Sequence, residues 1–137
     1  MDDRTKLAFA GAAWIDAARD ILRELAAEHG VPGARFCLSE RFTDAPADVA
    51  PDGAAAWHFR IEGCSVSVAA GDCTDADVRI TADYQKALPT ARLVYTPEIL
   101  ARRAANPAAP RPGVDGDMSK APAYLTELHN RLAVITA

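Results

Sequence analysis

The chain is expected to fold as one α+β domain, on three observations. A single long amphipathic helical pattern comes first. Segments of period two follow it, and the last third is helical and punctuated by prolines. The expected arrangement is a long N-terminal helix, an antiparallel sheet of four to five strands, and C-terminal helices covering one sheet face. A length of 137 residues suits a single domain spanning 1–137, large enough to bury a core without staples.

The first helix is predicted over Lys6 to His29. Leu7, Gly11, Trp14, Ala18, Ile21 and Leu25 recur at three and four residues, and Asp16, Arg19, Asp20, Arg23 and Glu24 fall mostly on the other side. His29-Gly30-Val31-Pro32 is a stop signal, with Gly30 expected in the left-handed cap conformation and Pro32 unable to extend the ladder. Period two then takes over. Ala34, Phe36 and Leu38 alternate with Arg35, Cys37 and Ser39. Thr43 to Gly53, with Pro46, Pro51 and several Asp, reads as a loop. Trp57, Phe59 and Ile61 alternate with polar residues, as do Cys64, Val66 and Val68, and then Ala76, Val78 and Ile80. Three strands joined by short connections predict an antiparallel meander.

In the last third, Asp83 is expected to cap a short helix from Tyr84 to Leu88, closed by Pro89. Thr96-Pro97-Glu98 opens another helix that ends by Asn106-Pro107. Pro107, Pro110 and Pro112 predict an extended linker-like segment. Asp117 or Ser119 is expected to cap the final helix, with Pro122 in its first turn and Ala121, Leu125, Leu128, Leu132 and Ile135 as its apolar stripe.

Composition excludes several classes. A net charge of −4 argues against nucleic acid as the main partner, because phosphate binding needs a basic face. Cys37, Cys64 and Cys73 are odd in number and lack the C-x-x-C spacing. They predict neither a disulfide framework nor a metal set, but reduced thiols in a cytoplasmic, soluble protein. The run from Leu7 to Ile15 follows Arg4 and Lys6 and mimics a signal peptide. Asp2 and Asp3 and the continuing helical stripe argue against that reading, and the run is too short to span a bilayer, so no stable membrane insertion is expected. Frequent Arg and Ala with Lys only at 6, 86 and 120 hint at a GC-rich bacterial genome.

None of the G-x-x-x-x-G-K, G-x-G-x-x-G, G-x-S-x-G or H-E-x-x-H signatures occurs. Asp72, Asp75 and Asp77 crowd one turn; a divalent-cation loop and a hairpin with locally bonded carboxylates both suit them, and the absent EF-hand spacing favours the hairpin. His29 suits a helix C-terminus. His58 is placed on a wet strand face near Arg60 and Glu62, and His129 beside the Leu125/Leu128/Leu132 stripe. Cys64 and His58 fall on opposite faces, so no nucleophile–base pair is expected. The expected catalytic residues, metal and cofactors are therefore none. What remains is apolar surface: Trp57, Phe59, Ile61, Val78 and Ile80 from the sheet, and Ile99, Leu100, Tyr124, Leu125 and Leu128 from the covering helices. Those residues suit either a closed core or the lining of a tunnel of about 300–1,000 Å³ beneath a proline-segmented cover.

The stretch Val66-Ser67-Val68-Ala69-Ala70-Gly71, the strand Ala76-Asp77-Val78-Arg79-Ile80-Thr81, and Asp83 opening a short helix resemble the centre of sterol-carrier-protein-type-2-like domains. Val114-Asp115-Gly116-Asp117-Met118, leading into a Leu-striped helix, resembles that family's closing turn and last helix. The resemblance implies a five-stranded sheet covered by helices, a tunnel for a fatty acyl, acyl-CoA or sterol-like ligand, and no catalytic residue. Two features depart from the pattern. The Pro-rich Ala105 to Gly113 stands where the last strand is expected, which implies a very short fifth strand or an altered tunnel. The terminal Val134-Ile135-Thr136-Ala137 is not the Ser-Lys-Leu address. Two rivals follow from the same surface: a small α+β enzyme with an Asp or His base in an apolar pocket, and a tunnel-less protein-interaction domain.

Overall fold

The computed structural model describes residues 6–105, 114–116 and 121–137. Helix α1 (Ala12–His29) precedes strands β1 (Arg35–Thr43), β2 (Ala54–Glu62), β3 (Ser65–Ala70) and β4 (Val78–Asp83). Helices α2 (Tyr84–Ala91) and α3 (Pro97–Ala105), strand β5 (Val114–Gly116) and helix α4 (Leu125–Ala133) complete the order. The class is α+β, with one five-stranded sheet in the order β3-β2-β1-β4-β5.

The sheet is mixed, which corrects the expected meander. β3, β2 and β1 pair antiparallel, but β4 leaves β3 and pairs parallel with β1. The seven residues between Ala70 and Val78 make this crossing without a helix. Staggered registers make so short a crossover possible. β3 ends at Ala70, opposite Trp57 and hence Glu40, whereas β4 begins at Val78, beside Leu38. The chain must move sideways by three strand spacings, about 14 Å, and back by about 7 Å. Seven extended residues reach about 23 Å. The crossing segment is held on the sheet's outer face by its own polar residues. Asp72 accepts from Ser39 Oγ (3.1 Å) and Arg41 (3.2 Å), Asp75 accepts from Arg60 (2.9 Å), and Asp77 accepts from the Cys37 backbone N–H (2.8 Å). These carboxylates bond across strands rather than within a hairpin turn.

The inner face carries Phe36, Leu38 and Phe42 of β1, Ala55, Trp57, Phe59 and Ile61 of β2, Val68 of β3 and Val78 of β4, all buried. Its chief cover over β3 is α1, with α2 beside β4 and β1 and with α4 packed on α1 and α2. Trp57 meets Trp14 of α1 edge-to-face at 5.1 Å, and Phe9 joins Trp14, Phe42 and Tyr84 in the same aromatic cluster.

Several boundaries differ from expectation. α1 begins at Ala12 rather than Lys6, because the preceding segment pairs with the C-terminus. Leu7 N–H donates to Ile135 O (2.7 Å), and Ala137 N–H donates to Leu7 O (2.8 Å). Gly30 is extended rather than left-handed (φ −62°). What requires glycine there is proximity, since a Cβ would lie 2.4 Å from Ala26 O and 2.5 Å from Gly63 O. α2 continues through Pro89 to Ala91, while its predicted cap holds, with Asp83 accepting from Lys86 N–H. Thr96 caps α3 through the Ile99 N–H (3.2 Å), also as expected. α4 starts at Leu125, and Pro122 lies in the turn before it. β5 is the very short fifth strand, paired antiparallel with β4, so Asp115 and Gly116 are strand residues rather than a turn. The predicted linker prolines at 107, 110 and 112 and the caps at Asp117 or Ser119 lie outside the described residues.

Candidate functional site

Among the described residues, one end of the sheet is not closed by the helices. Beyond the row formed by Phe36 and Ile61, a cleft of about 750 Å³ opens between the sheet, the C-terminal end of α1 and the turn that leads into α4. The local sequence explains its shape. Gly30 and Pro32 end α1 and turn the chain sharply into β1, so the helix cannot extend over this end. Pro122 lies in the turn that precedes α4. Its floor is Ala34, Phe36 and Ile61, and one wall is Pro122, Ala123 and Tyr124.

The rim is charged, mixed in sign and already paired. Arg131 bonds Glu127 (2.9 Å) and Glu24 (3.3 Å), Arg35 lies 3.5 Å from Glu62, and His29 lies 3.7 Å from Glu28. Exposed pairs of this kind contribute little stability. They also leave no concentrated positive charge to demand an anion. The Tyr124 ring stacks beside His29 at 6.2 Å. Its hydroxyl is buried without a hydrogen-bond partner among the described residues, and burial raises its pKa.

Of the ten residues expected to line a tunnel, Ile61 and Tyr124 line this cleft. Trp57, Phe59, Val78 and Leu128 are buried in the closed core, with Ile80 and Leu125 packed against it. Ile99 is half-buried on α3, and Leu100 is 38 % exposed there. Trp14 of α1 packs edge-to-face on Trp57 in that core. The histidines and Cys64 are likewise spread apart. His58 Nδ1 bonds Gly71 O (2.8 Å), His129 Nε2 bonds Leu93 O (2.7 Å) and stacks on Tyr95, and Cys64 is exposed at the β2–β3 turn.

Two features escaped the sequence reading. Glu40 shares the inner face of β1 with Phe36, Leu38 and Phe42. Its Oε1 accepts from Trp57 Nε1 (2.7 Å), and burial pushes its pKa from 4.5 up to about 7. The signal was an acid at an apolar position of a period-two strand. Glu40 lines neither the cleft nor the smaller cavity on the outer face. The second feature is a meeting of Cys37 and Cys73 on that outer face, with Sγ atoms 3.8 Å apart. They are distant in sequence, and only the crossover brings them together. Among the described residues, Cys37, Cys73 and Asp75 form a group whose ligand atoms lie within 4.8 Å of one another.

No protein-family model matches the chain, and a search of curated proteins returns no match. No helix among the described residues is long and apolar enough to cross a membrane.

Proposed function

We propose that this chain is a non-catalytic binding module for an apolar, lipid-like molecule, taken up in the cleft at the end of the sheet. The observation that carries the reading is the cleft, about 750 Å³ with a floor and wall of Phe36, Ile61, Ala123 and Tyr124. That is the size and character of a small-molecule site. The Tyr124 hydroxyl, without a hydrogen-bond partner among the described residues, supplies one directional group, suited to a ligand bearing a carbonyl or carboxyl oxygen near its apolar part. The paired rim charges leave apolar burial as the main source of affinity. The resemblance to sterol-carrier-protein-type-2-like domains supports the same reading, since five strands under helices is the layout it implies. The cytoplasm is the proposed location, as reduced thiols suggest.

Neither an acid–base pair nor a nucleophile–base pair enters this function. His58→Ala, His129→Ala and Cys64→Ala should each leave binding largely intact. A loss beyond about a hundredfold in one of them, with the fold preserved, would be of general acid–base size and would favour an enzyme. The reading itself is tested by titrating isotope-labelled protein with a long-chain fatty acid and following amide shifts. Changes should concentrate at Ala34, Phe36, Ile61, Ala123 and Tyr124. Shifts centred on α3, or no saturable binding, would overturn it.

A further inference from the structure

The outer face of the sheet holds a feature that ligand uptake does not use. Cys37 projects from β1, and Cys73 lies on the crossover that passes over it. Both are buried, and their sulfurs stand 3.8 Å apart. The surroundings fix that geometry. Cys73 N–H donates to Ser39 Oγ (3.1 Å), Asp77 N–H donates to Cys37 O (2.9 Å), and Cys37 N–H donates to Asp77 Oδ2 (2.8 Å). The Cys73 thiol donates to Asp75 Oδ1 (2.7 Å), and Arg60 Nη2 donates to both Asp75 (2.9 Å) and Cys73 Sγ (3.4 Å). A cavity of about 350 Å³, walled by Cys37, Arg60, Asp75 and Asp77, gives a small polar oxidant a way in.

We infer that Cys37 and Cys73 form a dithiol site that a peroxide converts to an intramolecular disulfide, tying β1 to the β3–β4 crossover. Bonding requires the sulfurs to close from 3.8 Å to about 2.05 Å, within reach of side-chain rotation and a small shift of the crossover. The reaction balances with one hydrogen peroxide. One sulfur attacks the peroxide, forming an S–O bond as the O–O bond breaks, and its thiol proton leaves with the departing hydroxide as water. The second sulfur then displaces the hydroxyl group, the S–S bond forms, and its proton leaves in a second water. Two thiols are oxidised by two electrons and the peroxide is reduced by two. Burial and the neighbouring Cys73 push the Cys37 thiol up to about 11.

A metal ion is the competing occupant, since two sulfurs and a carboxylate converge here. Arg60 already fills the cationic position beside Asp75 and Cys73, which favours the disulfide.

The test uses the full chain carrying Cys64→Ser, which removes the exposed third thiol. The protein is treated under native conditions with equimolar hydrogen peroxide, denatured, titrated for thiols and mapped by mass spectrometry. The expected result is loss of both remaining thiols, a mass decrease of two hydrogens, and a linked peptide pair containing Cys37 and Cys73, all reversed by dithiothreitol. Thermal unfolding of the oxidised form should shift upward, because the cross-link restricts the unfolded chain. Cys37→Ser and Cys73→Ser should lose the intramolecular link. Gain of one or more oxygens per cysteine without a link would overturn the inference. So would an equivalent of zinc that copurifies and shields both thiols until a chelator removes it.

Discussion

Glu40 sits on the inner face of β1 between Leu38 and Phe42, with the Trp57 indole as its hydrogen-bond donor. Burial favours its neutral form, so the folded pKa, about 7, lies above the ordinary 4.5. Between these values the native state holds a proton that the unfolded chain has released. This contribution to stability is therefore fully present below about pH 4.5. It is lost as pH rises through about 7, by an amount on the order of 1–3 kcal/mol. Asp75, held down at about 2 by the Cys73 thiol and Arg60, acts in the opposite sense and only at acid pH. Urea unfolding should give lower stability at pH 8 than at pH 5, and Glu40→Gln should flatten that dependence. An unchanged slope in the variant would place the titrating group elsewhere. Tyr124 makes a second residue-scale case. Its hydroxyl has no partner among the described residues, so Tyr124→Phe should leave stability unchanged or raise it slightly. The same change should weaken binding of a fatty acid more than that of an alkane of equal length.

At the scale of elements, two glycines show what holds the open end of the sheet in place. Gly30 has an ordinary backbone angle, but an added Cβ would collide with Ala26 O and Gly63 O. Gly33 has φ +84° and nothing within 4 Å of its Cβ position. Gly30→Ala should cost about 2 kcal/mol or more through displaced backbone. Gly33→Ala should cost about 1 kcal/mol through strain alone. Denaturant midpoints distinguish the two, and equal losses would contradict the collision argument. The same contrast between local and distant causes explains what was legible in the sequence. Alternation along Trp57, Phe59 and Ile61 and the caps at Asp83 and Thr96 are local, and each appears where the pattern put it. The partner of β4 was not legible. A short, Asp-rich connection reads as a hairpin, whereas Asp72, Asp75 and Asp77 find their donors on β1 and β2. The thiol pair depends on that crossover in the same way, whereas the Glu40–Trp57 bond follows from the β1–β2 register that sets the two residues opposite each other. Of the cleft, Ile61 and Tyr124 were foreseen as lining of a tunnel, while the opening depends on where α1 stops and α4 starts.

Across the whole molecule, the two ends of the chain are laced together beside the core. Leu7 exchanges hydrogen bonds with Ile135 and Ala137. Trp14 Nε1 donates to Thr136 Oγ1 (3.1 Å), whose hydroxyl donates to Leu132 O (2.6 Å). Thr136→Val preserves shape but leaves the buried indole N–H without its acceptor. It should cost about 1–3 kcal/mol in chemical denaturation. A neutral result would mean that this bond contributes little to joining α1 with the C-terminal segment. The closed part of the inner face and the lacing leave the end of the sheet as the place proposed for a ligand. Calorimetry with a series of fatty acids of increasing chain length, at low and high salt, tests that claim most directly, with Ala123→Trp as the variant that fills the cleft from its exposed wall. The account predicts affinity that rises with chain length, changes little with salt, and is lost in Ala123→Trp. Affinity that ignores chain length, falls steeply with salt and survives the substitution would contradict it.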